Sequence, residues 1–172
     1  MKFRLAFSVL LLSLFALTAA GQENRLSINV EIEGLGEIVL EETSIDQTET
    51  TQLLLKKPGG MQQVIDSYDG LLPSDLIKHD LDGDSNFEII ALLRHPDGID
   101  VIMHIYATDA DFKKIFPESQ NENNPLICRE IFISMHGNQP AVCTRHLISY
   151  HDFGPPELYR LEFYQLQKGH LV

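Results

Sequence analysis

Apolar and polar residues alternate with period two along much of the chain. In "LSINVEIEG", Leu26, Ile28, Val30 and Ile32 alternate with polar partners, the pattern of a half-buried strand. "GLGEIVLEET" follows a Gly-rich turn and predicts a second strand paired with the first. "TTQLLLKK" and "MQQVIDSY" flank Pro58-Gly59-Gly60, a second hairpin signal. "FEIIALL" and "IDVIMHIYA" flank a tight turn at Pro96-Asp97-Gly98. "LICREIFIS", "AVCTRHLISY" and "LYRLEFYQL" complete the apolar runs. Helical periodicity is weak throughout; the exceptions are "LLPSDLI" and "ADFKKIF", which read as a turn or two of helix. "PESQNENNP", residues 117–125, is a polar loop with no core-forming residue. Many short strands with regular turn signals predict an all-β fold of antiparallel hairpins, a partial β-propeller-like stack or a β-sandwich. Tyr159, Leu161 and Phe163 share one face of the last long strand and are expected in the core.

The first twenty residues break this pattern. Lys2 and Arg4 precede an apolar run, Leu5 to Leu17, and Thr18-Ala19-Ala20 supply small residues for cleavage. These are the three parts of a secretory signal peptide, and the run is short for a bilayer span. Residues 1–20 are therefore read as a signal peptide and 21–172 as a single all-β domain. The expected location is periplasmic or secreted, with no membrane insertion after cleavage. Losing Lys2 and Arg4 takes the formal charge from −12 to −14. Such an acidic chain repels nucleic acid and suits a cationic partner or a bound cation.

An exported chain meets oxidising conditions, so its two cysteines, Cys128 and Cys143, matter. Each lies in an apolar, strand-like run, and turn formers separate them. A hairpin through His136–Gln139 is expected to set them side by side as a Cys128–Cys143 disulfide. Closing that loop would contribute on the order of 3 kcal/mol.

The stretch "HDLDGDSNFEII" carries the clearest chemistry. Taking Asp80 as position one, Asp82, Asp84, Asn86 and Glu88 fall at three, five, seven and nine. Acids at one, three and five of a tight loop turn toward a common centre. Position seven offers its backbone carbonyl, and position nine closes the shell. An all-oxygen set suits a hard cation, and a flexible shell favours Ca²⁺ over Mg²⁺. Crowded carboxylates without a cation repel one another. The loop departs from an EF-hand: position six is Ser85, position twelve is Ala91, and the flank is strand-like.

"DLDGDSNFEII" resembles the calcium loop of FG-GAP/VCBS-type repeats, D-x-D-G-D-x-x-x-E followed by Ile or Val, and "DVIMHIYATDADFKKIF" resembles their outer strands. The resemblance covers residues 75–116. It implies a blade of an extracellular β-propeller, with Asp80, Asp82, Asp84 and Glu88 as side-chain ligands and Asn86 giving its carbonyl. Ser85 replaces the usual glycine, and the Phe-Gly and Gly-Ala-Pro signature is missing. At 40–50 residues per blade, the domain holds roughly three.

The remaining candidates are weaker. His79 abuts the acidic loop, His151 abuts Asp152, and His104 sits between Met103 and Ile105, with no pair at metal-binding spacing. Glu41, Glu42, Asp46 and Glu49 read as a solvated face, and there is no G-x-S-x-G or phosphate-cradling loop. The sequence therefore points to an exported calcium-binding interaction module that binds a protein, such as a cationic enzyme, or a glycan at the cell envelope. The alternative is a hydrolytic enzyme using the metal of the acidic loop.

Overall fold

The computed structural model describes residues 26–45, 48–98, 100–109, 112–117, 127–149, 158–167 and 170–172. Residues 1–20, most of the 117–125 loop, His151 and Asp152 lie outside them. Within the described residues the chain forms strands and no helix. Strands β1 (Ser27–Ile32), β2 (Gly36–Ile45), β3 (Thr48–Lys56) and β4 (Gln62–Asp69) form an antiparallel meander in that order. A second meander runs β5 (Leu72–His79), β6 (Glu88–Arg94), β7 (Val101–Ala107) and β8 (Lys114–Phe116), and β9 (Ile127–Cys128) also pairs with β7. The third sheet is β10 (Glu130–His136), β11 (Gln139–Ser149) and β12 (Leu158–Tyr164). A short hairpin, β13 (Leu166–Gln167) with β14 (His170–Leu171), ends the chain. Among the described residues no sheet closes into a barrel.

Two apolar cores link the three sheets in a stack. The first joins Ile38, Leu40, Leu53 and Leu55 of the first sheet to Ile89, Ala91 and Leu93 of the second. The second joins Ile90, Leu92, Met103 and Ile105 to Ile131 and Val142 of the third. Strand β6 is shared, its odd-numbered apolar residues entering one core and its even-numbered ones the other. Both faces are covered, so six of its seven residues are buried: Glu88 and the continuous apolar run Ile89–Leu93. Each such Ile or Leu contributes about 1.5–3 kcal/mol relative to exposure.

Four expectations are corrected. "LLPSDLI" lies not in a helix but largely in β5, where Leu76 enters the first core and Ile77 packs against the second. Two-sided burial favours period two there, and Pro73 is tolerated because β5 is a sheet edge beside a register shift. Likewise the described part of "ADFKKIF" contributes β8, with Ile115 in the second core.

The cysteines are two buried free thiols, not a disulfide. The hairpin turns where expected, with His136 opposite Gln139. That register places Phe132 opposite Cys143, while Cys128 falls before β10, on β9, opposite Val101. Its Sγ–H donates to the Glu130 carbonyl at 3.3 Å. Burial pushes both thiols above their ordinary pKa.

Finally, Tyr159, Leu161 and Phe163 are not core. They are 38%, 50% and 40% exposed, on the face of β12 turned away from the second core.

Candidate metal centre

The acidic loop joins β5 to β6. His79 and Glu88 face each other across the ladder, so the loop leaves and re-enters at one rung. Local hydrogen bonds wind it tightly. Asp80 accepts from the Gly83 N–H at 2.7 Å and the Ser85 N–H at 3.0 Å. Asp82 accepts from the Asp84 N–H at 3.2 Å. Gly83 and Ser85 take left-handed conformations, with φ of 79° and 73°. Glycine adopts this region freely; serine does so under strain. Leu81 points inward into the second core, and Thr108 Oγ1 donates to the Phe87 carbonyl at 2.6 Å, so both ends of the loop are tied to the sheets.

This winding brings Asp80, Asp82 and Glu88 together, with one carboxylate oxygen from each within 4.8 Å of the others. Glu88 is 4% exposed and accepts from the Leu81 N–H at 2.8 Å. Burial pushes its carboxyl up to about 7, and the neighbouring Asp82, Asp84 and Asp80 add to the rise against the Leu81 hydrogen bond. A buried carboxyl facing two more is a poor place for bare negative charge and a good one for a cation. The three carboxylates can hold a metal ion, and their oxygen chemistry fits a hard one.

Asp84 and Asn86 are placed differently. Both Asp84 carboxylate oxygens are taken by Asn86, one by its backbone N–H at 2.7 Å and the other by its side-chain amide at 3.0 Å. Those bonds hold the Asp84 carboxyl below its ordinary pKa. Asp84 lies outside the convergent triad and instead lines, with Asp82 and Gly83, an open cleft of about 500 Å³. Gln139, Leu166 and Gln167 form the facing wall. The cleft thus has carboxylates on one side and amides on the other.

Sequence reading missed a second polar group. Between the first two sheets, the hydroxyls of Tyr68 and Tyr106 hydrogen-bond, and Tyr106 donates onward to Asp66 at 2.6 Å. Lys114 reaches the same Asp66 oxygen at 2.5 Å. Burial alone would raise the Asp66 carboxyl; the bonds from Lys114, Tyr106 and the Ser67 N–H outweigh it and leave it lowered. The His104 ring lies 4.8 Å from that of Tyr68, and its Nδ1 is buried without a hydrogen-bond partner. Burial, with Lys114 nearby, lowers its pKa to about 4, so the imidazole is neutral. The available signal was pairwise: Asp66 and Tyr68 sit two apart on β4, as His104 and Tyr106 do on β7.

Compared with known proteins, the chain matches no family model, no curated protein and no solved structure.

Proposed function

We propose that this chain is an exported interaction module whose acidic loop holds a structural calcium ion. The observation that carries the reading is the convergence of Asp80, Asp82 and buried Glu88 on one point. The loop joins two paired strands, as in the FG-GAP/VCBS-type repeats it resembles. The ion neutralises the three carboxylates and fixes the rim of the cleft at Asp82 and Asp84. A cationic protein or a glycan, recognised by carboxylates and amides, is the partner chemistry that rim suits.

The test is a thermal melt of the purified chain with and without Ca²⁺. Extracellular calcium modules bind near 10⁻⁴–10⁻³ M, so several millimolar Ca²⁺ is expected to raise the melting temperature. Asp80→Asn is expected to abolish that rise. An unchanged melting temperature in the parent chain would sink the proposal. A pull-down with and without calcium then tests the partner. The same cleft favours one competing reading, metal-assisted hydrolysis. Turnover of ester, phosphate or glycoside reporters that disappears on chelation would replace the module reading.

A further inference from the structure

Strand β12 pairs with β11 on one side, and among the described residues no strand pairs with its other side. A free edge presents unpaired N–H and C=O groups that template a further strand. The side chains of this edge have a particular order. Tyr159, Leu161 and Phe163 alternate with Arg160 and Glu162. The first three are large, apolar and 38–50% exposed. Arg160 is 60% exposed, and its Nε lies 2.9 Å from a Glu162 oxygen.

Read in the antiparallel direction, this order complements itself. Centring on Leu161 sets Leu161 against Leu161 of a second copy. Tyr159 then meets the second copy's Phe163 on one face, and Arg160 meets its Glu162 on the other. Each pairing occurs twice by symmetry, giving two aromatic pairs and two opposite-charge pairs around a two-fold axis. The two edges of the four-stranded sheet lack this property. β1 carries Glu31 and β4 carries Asp66 and Asp69, and neither carries a basic residue. Self-pairing of either edge gathers acids without a counter-charge.

We propose that β12 is a homodimer seam, joining the third sheets of two copies into one continuous six-stranded sheet by antiparallel pairing centred on Leu161. The carrier is the match of Arg160 to the second copy's Glu162 on an edge whose opposite face is apolar. The overall negative charge slows the encounter of two copies, an effect that physiological salt screens.

Sedimentation velocity over a concentration series tests this with the full chain. The parent is expected to form a dimer. Arg160→Glu sets carboxylates against carboxylates and is expected to weaken dimerisation about ten-fold or more. Adding Glu162→Arg restores complementarity and is expected to recover most of the affinity. An unchanged far-ultraviolet circular dichroism spectrum for Arg160→Glu checks that the fold is intact, since loss of the dimer itself lowers the melting temperature. Glu162 also contacts His146 at 3.2 Å and Tyr164 at 2.7 Å, so the double variant has a separate folding risk. Hydrogen exchange on the parent is independent of it: β12 amides are expected to become more protected as concentration rises. A parent that stays monomeric at every concentration overturns the proposal and leaves the edge to a foreign strand. A dimer indifferent to Arg160→Glu, or a folded double variant that does not recover, overturns it as well.

Discussion

Ser85 carries the acidic loop through a left-handed bend at φ 73°. An L-residue there is disfavoured by roughly 1–2 kcal/mol, of which glycine's greater freedom in the unfolded chain offsets part. Ser85→Gly is therefore expected to stabilise the calcium-free protein by about 1 kcal/mol, read from the denaturant midpoint. Glu88 supplies the pH dependence of the same loop. Its pKa of about 7 lies above the ordinary 4.5, so without calcium its stabilising contribution is complete below pH 4.5 and is lost as pH rises toward 7. A bound cation holds the carboxylate ionised. Adding Ca²⁺ at pH 6 is thus expected to release up to about one proton per chain, measured by calorimetry in buffers of different ionisation enthalpy. Glu88→Gln should abolish both the release and the binding. At this scale the sequence was informative about Asp80, Asp82 and Glu88, because odd spacing in a tight loop forces convergence. The same spacing counted Asp84 as a ligand, because its capture by Asn86 is a local side-chain-to-backbone competition that spacing does not reveal.

Among the strands, hairpins were legible wherever period-two runs flanked Gly or Pro. The misreadings had separate causes. In β5, Pro73, Ser74 and Asp75 masked a strand whose two apolar residues face opposite cores. For the cysteines, the turn position was read correctly but the count along the ladder was not. With His136 opposite Gln139, the residue facing Cys143 is Phe132, four positions from Cys128. Gly36 sets the first hairpin. Its φ is 126°, and a Cβ placed there would lie 2.3 Å from the Lys56 carbonyl oxygen. Gly36→Ala must displace backbone on β3 and is expected to destabilise the fold by about 2 kcal/mol or more, measured by chemical denaturation.

Over the whole molecule, the stack joins its first two sheets through a core that includes a polar group. His104 packs beside Tyr68 of β4 and faces Asp66 of β4, Tyr106 of its own strand and Lys114 of β8. Its pKa of about 4 lies below the ordinary 6.5, so neutral histidine is compatible with the closed interface and charged histidine is not. Stability is expected to fall by about 3 kcal/mol as pH drops from 6.5 to 4, the interval in which only the unfolded state takes up this proton. His104→Leu should flatten that fall in an acid titration. Calcium-free Glu88 slopes the opposite way between pH 4.5 and 7, so the effect is read as the difference between variant and parent. The stacking of three meanders was not legible, because alternation shows that a face is buried but not what covers it. That same limit placed Tyr159, Leu161 and Phe163 in the core, whereas they lie on the exposed outer face of the third sheet.

The two-sided burial of β6 has a consequence before the sheets close. Ile89 to Leu93 is an uninterrupted apolar stretch without proline, the composition that drives aggregation between unfolded chains. Glu88 stands at one end and Arg94 at the other, in the positions of gatekeeper charges. In the open chain Glu88 is solvated and ionised near neutral pH, and only folding raises its pKa. One carboxylate therefore serves two states in turn: it keeps unfolded chains apart, then faces the cation site once the strand between the two cores is buried.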